Sequence, residues 1–202
     1  MSVLTTTTSP PPPPDPMRRF SVDEYHRMTR LGILNEDDNV ELLEGWIVEK
    51  MSKNPRHENT IVRADDALRA RIPADWRIRI QSAVTLADSE PEPDLAVVTG
   101  ATSLYDARQP GPKYIALLIE VAESSLGRDR GVKLRVYARA RVAEYWLINL
   151  IDNTIEVCSD PTGPVDEPAY AQRRVYRSGE DVPLTIAGQQ FTSIPVKDIL
   201  GR

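Results

Sequence analysis

The sequence predicts a mixed α/β sheet in a single domain. Three observations lead there. Helix-period and strand-period segments follow one another in the order helix, strands, helix, strand, with extra strands at the end. Two apolar strand-like runs, Leu95-Ala96-Val97-Val98 and residues 114–119, each carry one acid, Asp94 and Glu120. The chain is 202 residues long, with 41% hydrophobic and 27% charged content, which suffices for one core.

Residues 1–16 read as a disordered tail, because Thr5 to Thr8 and Pro10 to Pro14 offer little apolar surface to bury. The folded domain is expected over 17–202. Ser21-Val22-Asp23-Glu24 has the form of a capping box and predicts a short helix to about Arg30. Residues 40–51 alternate loosely and turn at Glu44-Gly45, a hairpin. Ile61, Ala64, Leu68 and Ile72 recur at helical spacing and predict a helix over 59–71. Residues 76–86 alternate with period two through Ile78, Ile80, Ser82, Val84 and Leu86, and read as a strand.

The two acid-bearing strands come next, joined by a polar loop over about 99–113. A second helix is expected over 130–140, a strand over 142–150 and later strands over 155–159 and 172–176. A last strand, 185–191, is expected to close the sheet.

Composition excludes several classes. The single Cys158 rules out a disulfide framework and a cysteine zinc site, and with only His26 and His57 a histidine-rich metal site is excluded. No apolar run is long enough for a membrane helix and no signal-peptide core is visible, so a soluble, cytoplasmic protein is expected. There is no Gly-rich phosphate loop and no serine nucleophile elbow. Net charge is −5, yet residues 128–141 hold six basic residues against one acid, Asp129. That stretch is either a solvated helix face or a phosphate-contact surface, with Arg128, Arg130 and Arg135 as its nucleic-acid candidates.

The acids carry the functional argument. A buried carboxylate is costly without a proton, a cation or a metal. If the two runs pair as a hairpin with Val98 opposite Ala116, then Asp94 faces Glu120. Like charges directly opposite repel, so the pair makes most sense around a divalent cation. Magnesium takes oxygen ligands and one or two carboxylates, and phosphodiester hydrolysis needs such an ion. Lys133 shares a helical face with Val136, Tyr137 and Ala140, which would bring its ammonium to the site. The plainer alternative is a lysine that snorkels along a packed helix edge. His57 at a helix start could contact phosphate or the acids, or simply sit at the surface. Glu44 beside its turn glycine reads as exposed, Gln81 is undecided, Tyr137 is core with a hydroxyl near the site, and Glu123 caps a loop.

The chain resembles the Uma-two family, within the PD-(D/E)XK nuclease superfamily. The residues that carry the resemblance are Val40-Glu41-Leu42-Leu43-Glu44-Gly45, Pro55-Arg56-His57, Glu92-Pro93-Asp94-Leu95-Ala96-Val97-Val98, Ile119-Glu120-Val121-Ala122-Glu123-Ser124-Ser125, Lys133, Tyr137-Ala138-Arg139-Ala140-Arg141-Val142 and Glu144-Tyr145-Trp146-Leu147-Ile148. The resemblance implies a restriction-endonuclease-like central sheet flanked by helices. It also implies a magnesium-dependent DNA endonuclease, with manganese as an alternative ion. Asp94 and Glu120 fall on the superfamily's acidic pair, and the Val121 carbonyl falls on a backbone metal ligand. Glu41 falls on a further glutamate, and Lys133 on a lysine moved to a helix. Ala122 departs from the superfamily by leaving its usual lysine position empty. Two other readings stay open: an inert nucleic-acid-binding or partner-binding module, and a nuclease acting on RNA or branched DNA. A homodimer is expected by analogy, because cutting both strands of a duplex suits a two-fold assembly.

Overall fold

The computed structural model describes residues 17–201, and the predicted tail 1–16 lies outside them. Ser21 caps α1, Val22–Arg30: its hydroxyl accepts from the Glu24 N–H while the Glu24 carboxylate returns to the Ser21 N–H. The hairpin follows as β1, Val40–Leu43, and β2, Trp46–Glu49. Its two-residue turn needs positive φ at both central positions, and Glu44 (50°) and Gly45 (79°) supply it. Gly45 is also a close approach, since a Cβ there would stand 2.6 Å from the Arg19 Cβ.

Helix α2, Pro55–Arg69, starts at Asn54, whose side chain accepts from the His57 N–H, with proline at the first position, where no N–H is needed. Six strands then make the central sheet: β3 (Trp76–Ile80), β4 (Leu95–Thr99), β5 (Ile115–Ala122), β6 (Glu144–Asn149), β7 (Thr154–Pro161) and β8 (Tyr170–Tyr176). They lie in that order, antiparallel except for β5 against β6. The parallel step needs a crossover, and a helical segment supplies it. That segment is α3 (Leu126–Arg128), a π turn over Asp129–Lys133, and α4 (Leu134–Arg139).

The chain is a mixed sheet between two layers. On one face Ile61, Ala64 and Leu68 of α2 pack against Leu95, Leu117, Ile119 and Trp146. On the other, Val136 and Tyr137 of α4 pack against Ala96, Leu118, Tyr145 and Leu147. Strand β5 is buried along its whole length, as a strand covered on both faces must be.

Three of the expected elements need correction. The strand predicted over 76–86 stops at Ile80, because Gln81 turns into the left-handed region at φ 45°. Residues beyond it fold back, with the Val84 N–H on the Pro91 carbonyl. The helix predicted over 130–140 begins four residues earlier and contains the π turn. Residues 185–191 do not close the sheet: they straddle a hairpin, β9 (Asp181–Ile186) and β10 (Gln189–Pro195), that forms its own two-stranded sheet. A short helix, α5 (Val196–Leu200), follows without having been foreseen.

The β4–β5 ladder pairs Leu95 with Ile119 and Val97 with Leu117, so Asp94 continues opposite Glu120 as expected. A bulge then shifts the register, and Val98 meets Ile115 instead of Ala116. Among the described residues no helix is long and apolar enough to cross a membrane.

Candidate active site

Asp94 sits one residue before β4, where the ladder would take its next bond. Its Oδ2 accepts from the Val121 N–H at 2.8 Å, so the carboxylate replaces a backbone partner at the strand end. The same oxygen lies 3.2 Å from His57 Nε2, and Gln81 Nε2 donates to Oδ1 at 3.3 Å. Glu120, near the end of β5, receives Lys133 Nζ at 2.9 Å and the Tyr137 hydroxyl at 2.7 Å, both on Oε1. Lys133 Nζ also lies 3.3 Å from Glu41 Oε2. Glu41 stands on β1 and accepts the Glu92 N–H at 3.1 Å, with an Arg128 nitrogen 3.8 Å from its other oxygen.

Glu41, His57, Glu92, Asp94, Glu120, Arg128 and Lys133 line one cleft of about 60 Å³, together with Val121, Glu123, Ser124, Ser125, Asp129 and residues 50–54. One water fills roughly 10–15 Å³ of such space, so the cleft holds a few waters or a hydrated ion, and a polymer would lie across its mouth.

Burial sets the electrostatics. Desolvation pushes the Glu120 carboxyl well above the usual carboxylate range, although Lys133 opposes it. Asp129 is raised to about 6, by desolvation first, with Lys133 and Ser125 pulling the other way. For Lys133 burial works against the charge, but Glu120, Glu41 and Asp129 outweigh it and hold the ammonium above its ordinary value. Asp94 stays ionised: burial raises it, and His57 and the Val121 N–H more than compensate. Four buried carboxylates, Glu41, Asp94, Glu120 and Asp129, thus surround one buried ammonium.

Among the described residues no three His, Cys, Asp or Glu side chains close into a metal-holding cluster. The donor set still fits magnesium, which is commonly held by one or two carboxylates with water completing the octahedron. In an extended strand the N–H and C=O of one residue point to the same neighbour. The Val121 carbonyl therefore faces the edge where its N–H meets Asp94.

The fold brings Asp94, Glu120, Glu41, Lys133, Val121, His57 and Arg128 to this cleft. Arg130 and Arg135 do not line it. Arg130 grips Glu156, and Arg135 makes a bidentate pair with Glu44. Glu44 is consequently not the exposed residue its turn position suggested. Its hydrogen bonds from Arg135 and Arg139 hold it down to about 2. Glu123 does more than cap a loop, since it accepts from Asn54 and Arg56.

Sequence reading missed Asp129, which looked like the lone acid of a basic helix. Only the π turn swings it inward. Gln81 was undecided because its strand was drawn too long. Tyr137 was legible, four residues after Lys133 on the same face.

A family model described as "Putative restriction endonuclease", Uma2, matches residues 22–196. The chain belongs to this family. The Uma2 match runs from α1 through β10 and includes every residue of the cleft. A crystal structure from Anabaena variabilis, of a protein described as a "putative nuclease", superposes with a TM-score of 0.64 and 15% identity. The alignment covers 90% of this chain and 98% of that one, which shows a shared fold. No curated protein matches the chain. Family and fold together make this a nuclease-like protein.

Proposed function

We propose that the chain is a metal-dependent endonuclease that hydrolyses phosphodiester bonds in DNA. The observation that carries the reading is the excess of buried negative charge at an open cleft. Four carboxylates converge there around a single ammonium. A divalent cation would offset what Lys133, with Arg128 beside Glu41 and His57 beside Asp94, leaves unbalanced. Asp94, Glu120 and the Val121 carbonyl would hold magnesium, or manganese in its place, with Glu41 assisting. The ion would supply charge neutralisation at phosphorus and a water of lowered pKa.

The chain's own residues have separable tasks. His57, Gln81 and the Val121 N–H orient Asp94. Tyr137 and Lys133 fix Glu120 through Oε1 and leave Oε2 to other partners. Lys133, an ammonium between two carboxylates, offers donors to a phosphoryl oxygen and no lone pair to water. Arg128 and His57 line the cleft and would meet a phosphate there. Water attacks phosphorus in line and the 3′ oxygen leaves.

The test is plasmid DNA incubated with purified protein and magnesium or manganese. The expected result is nicking or linearisation that disappears with a chelator and in Asp94→Ala. Intact plasmid, or equal cutting by that variant, contradicts the proposal. An inert nucleic-acid-binding module is the competing reading. It draws on Lys133, which already bridges Glu41 and Glu120. Calorimetry separates the two: magnesium binding that Glu120→Gln abolishes favours the enzyme, and no heat of binding favours the module.

A further inference from the structure

The basic stretch singled out in the sequence is largely neutralised by ion pairs. Five of its six basic residues, Arg128, Arg130, Lys133, Arg135 and Arg139, lie within ion-pair distance of a carboxylate, and Arg141 alone of the six does not among the described residues. A different set of cations has no carboxylate in ion-pair range among the described residues: Arg77 and Arg79 of β3, and Arg108 and Lys113 of the segment between β4 and β5.

Aromatic rings, which carry no charge, hold three of these cations in place. Arg79 lies over Tyr105 at 5.5 Å, while Arg108 and Lys113 lie over Tyr114 at 5.2 and 4.8 Å. The two rings meet edge to face at 6.1 Å, so the groups form one patch. Arg79 also donates to the Gln109 side chain, while its Nε is buried without a partner. Among the described residues Arg77 donates only to the Gly100 carbonyl. A cation ordered on a ring keeps its full charge and has already lost much of its rotamer freedom. Asp106, exposed beside Tyr105, is the one acid in the segment from 100 to 114.

The patch leads to the cleft. Arg79 pairs with Ala96, which pairs with Leu118, so Arg77 and Arg79 point to the sheet face that Leu118 and Glu120 share. They stand about 7 Å apart on that face. Just past the end of β3, the Gln81 side chain donates to Asp94.

We propose that a nucleic-acid strand reaches the cleft along the β3 edge, its phosphates held by Arg77, Arg79, Arg108 and Lys113. The proposal rests on the nuclease reading for the purpose of the contact. With arginine and lysine as the contacting groups, recognition is through the backbone phosphates and is indifferent to base sequence.

The test is fluorescence anisotropy with two labelled single-stranded DNA oligonucleotides of unrelated sequence, in chelator, across a salt series. Wild type is expected to bind both equally, with a steep fall of log K against log salt. Arg108→Gln with Lys113→Gln, both at exposed positions, should lower that slope by about 1.4. Adding Arg77→Gln and Arg79→Gln should lower it by about 2.8 in total. Arg174→Gln is the control: this arginine sits over Tyr176 on β8, at the opposite edge of the sheet, and should leave the slope unchanged. No binding by wild type, unchanged slopes in the variants, or an equal loss in Arg174→Gln overturns the proposal. If plasmid is cut while slopes stay unchanged, the track fails and the nuclease reading stands. If slopes fall as expected and no plasmid is cut, the track stands and the nuclease reading fails.

Discussion

Lys133 decides more than any other residue here. With its ammonium removed, Glu41 and Glu120 face each other with nothing between them, and breaking a buried pair this way costs about 3–5 kcal/mol. Glu120, already raised by burial, answers by keeping a proton. Lys133→Met should therefore lower Tm in chelator, regain part of the loss in magnesium, and cut plasmid at least about a hundredfold more slowly. A lysine that only snorkels would show neither the magnesium rescue nor the slow cleavage. Asp129 gives a pH test. Its carboxyl is raised from 3.8 to about 6, so between those values the folded state holds a proton that the unfolded state has released. Stability is lost as pH rises through that window and stays lost above it. Asp129→Asn should raise stability at pH 8 by at most about 3 kcal/mol and leave it unchanged near pH 3, as thermal melts would show.

At the scale of elements, the cleft depends on where three segments begin and end. Helix α2 starts at Asn54, and that start sets His57 against Asp94. Asn54→Ala should cost about 1 kcal/mol by denaturant titration and reduce cleavage, because the first turn that carries His57 frays. Unchanged activity in a destabilised variant would mean that His57 does not position Asp94. The β1–β2 turn carries Glu41 at one remove, and Gly45 cannot take a side chain without displacing Arg19. Gly45→Ala should lower Tm more than any exposed substitution in the same hairpin. The π turn over Asp129–Lys133 is the third such device. Turns of this kind often mark functional positions, and this one buries both its first and last residues.

For the molecule as a whole, the sheet leaves two edges, β3 and β8. Strand β8 exposes Arg173 and Arg174, charges that discourage edge-to-edge pairing. If both strands of a duplex are cut together, two copies must act, and we expect a homodimer by light scattering. A monomer at every concentration tested argues against concerted cutting. Ion binding also acts globally: magnesium at a hundred times its dissociation constant should stabilise the fold by about 2.7 kcal/mol. That increment should vanish in Glu120→Gln.

The sequence by itself determined the sheet, the helices on it and the acids at its heart. Asp94 and Glu120 were legible because a charge inside an apolar strand run is costly enough to demand a reason. That they could face each other was legible as one possible pairing, and the register that sets them opposite was decided by the ladder of Leu95 with Ile119. Helix α1 could be read from a capping box whose partners are three residues apart. Which cations are free was decided only by the tertiary structure. The partners of Arg135 and Arg130 lie 91 and 26 residues away in sequence, at Glu44 and Glu156, and no local pattern announces them. Burial of Asp129 depends on one turn of irregular helix, and the contact of Gln81 with Asp94 on a strand that stops early. The physical reason is common to all of these. Hydrophobic periodicity is a property of neighbours along the chain, whereas charge pairing is a property of neighbours in space.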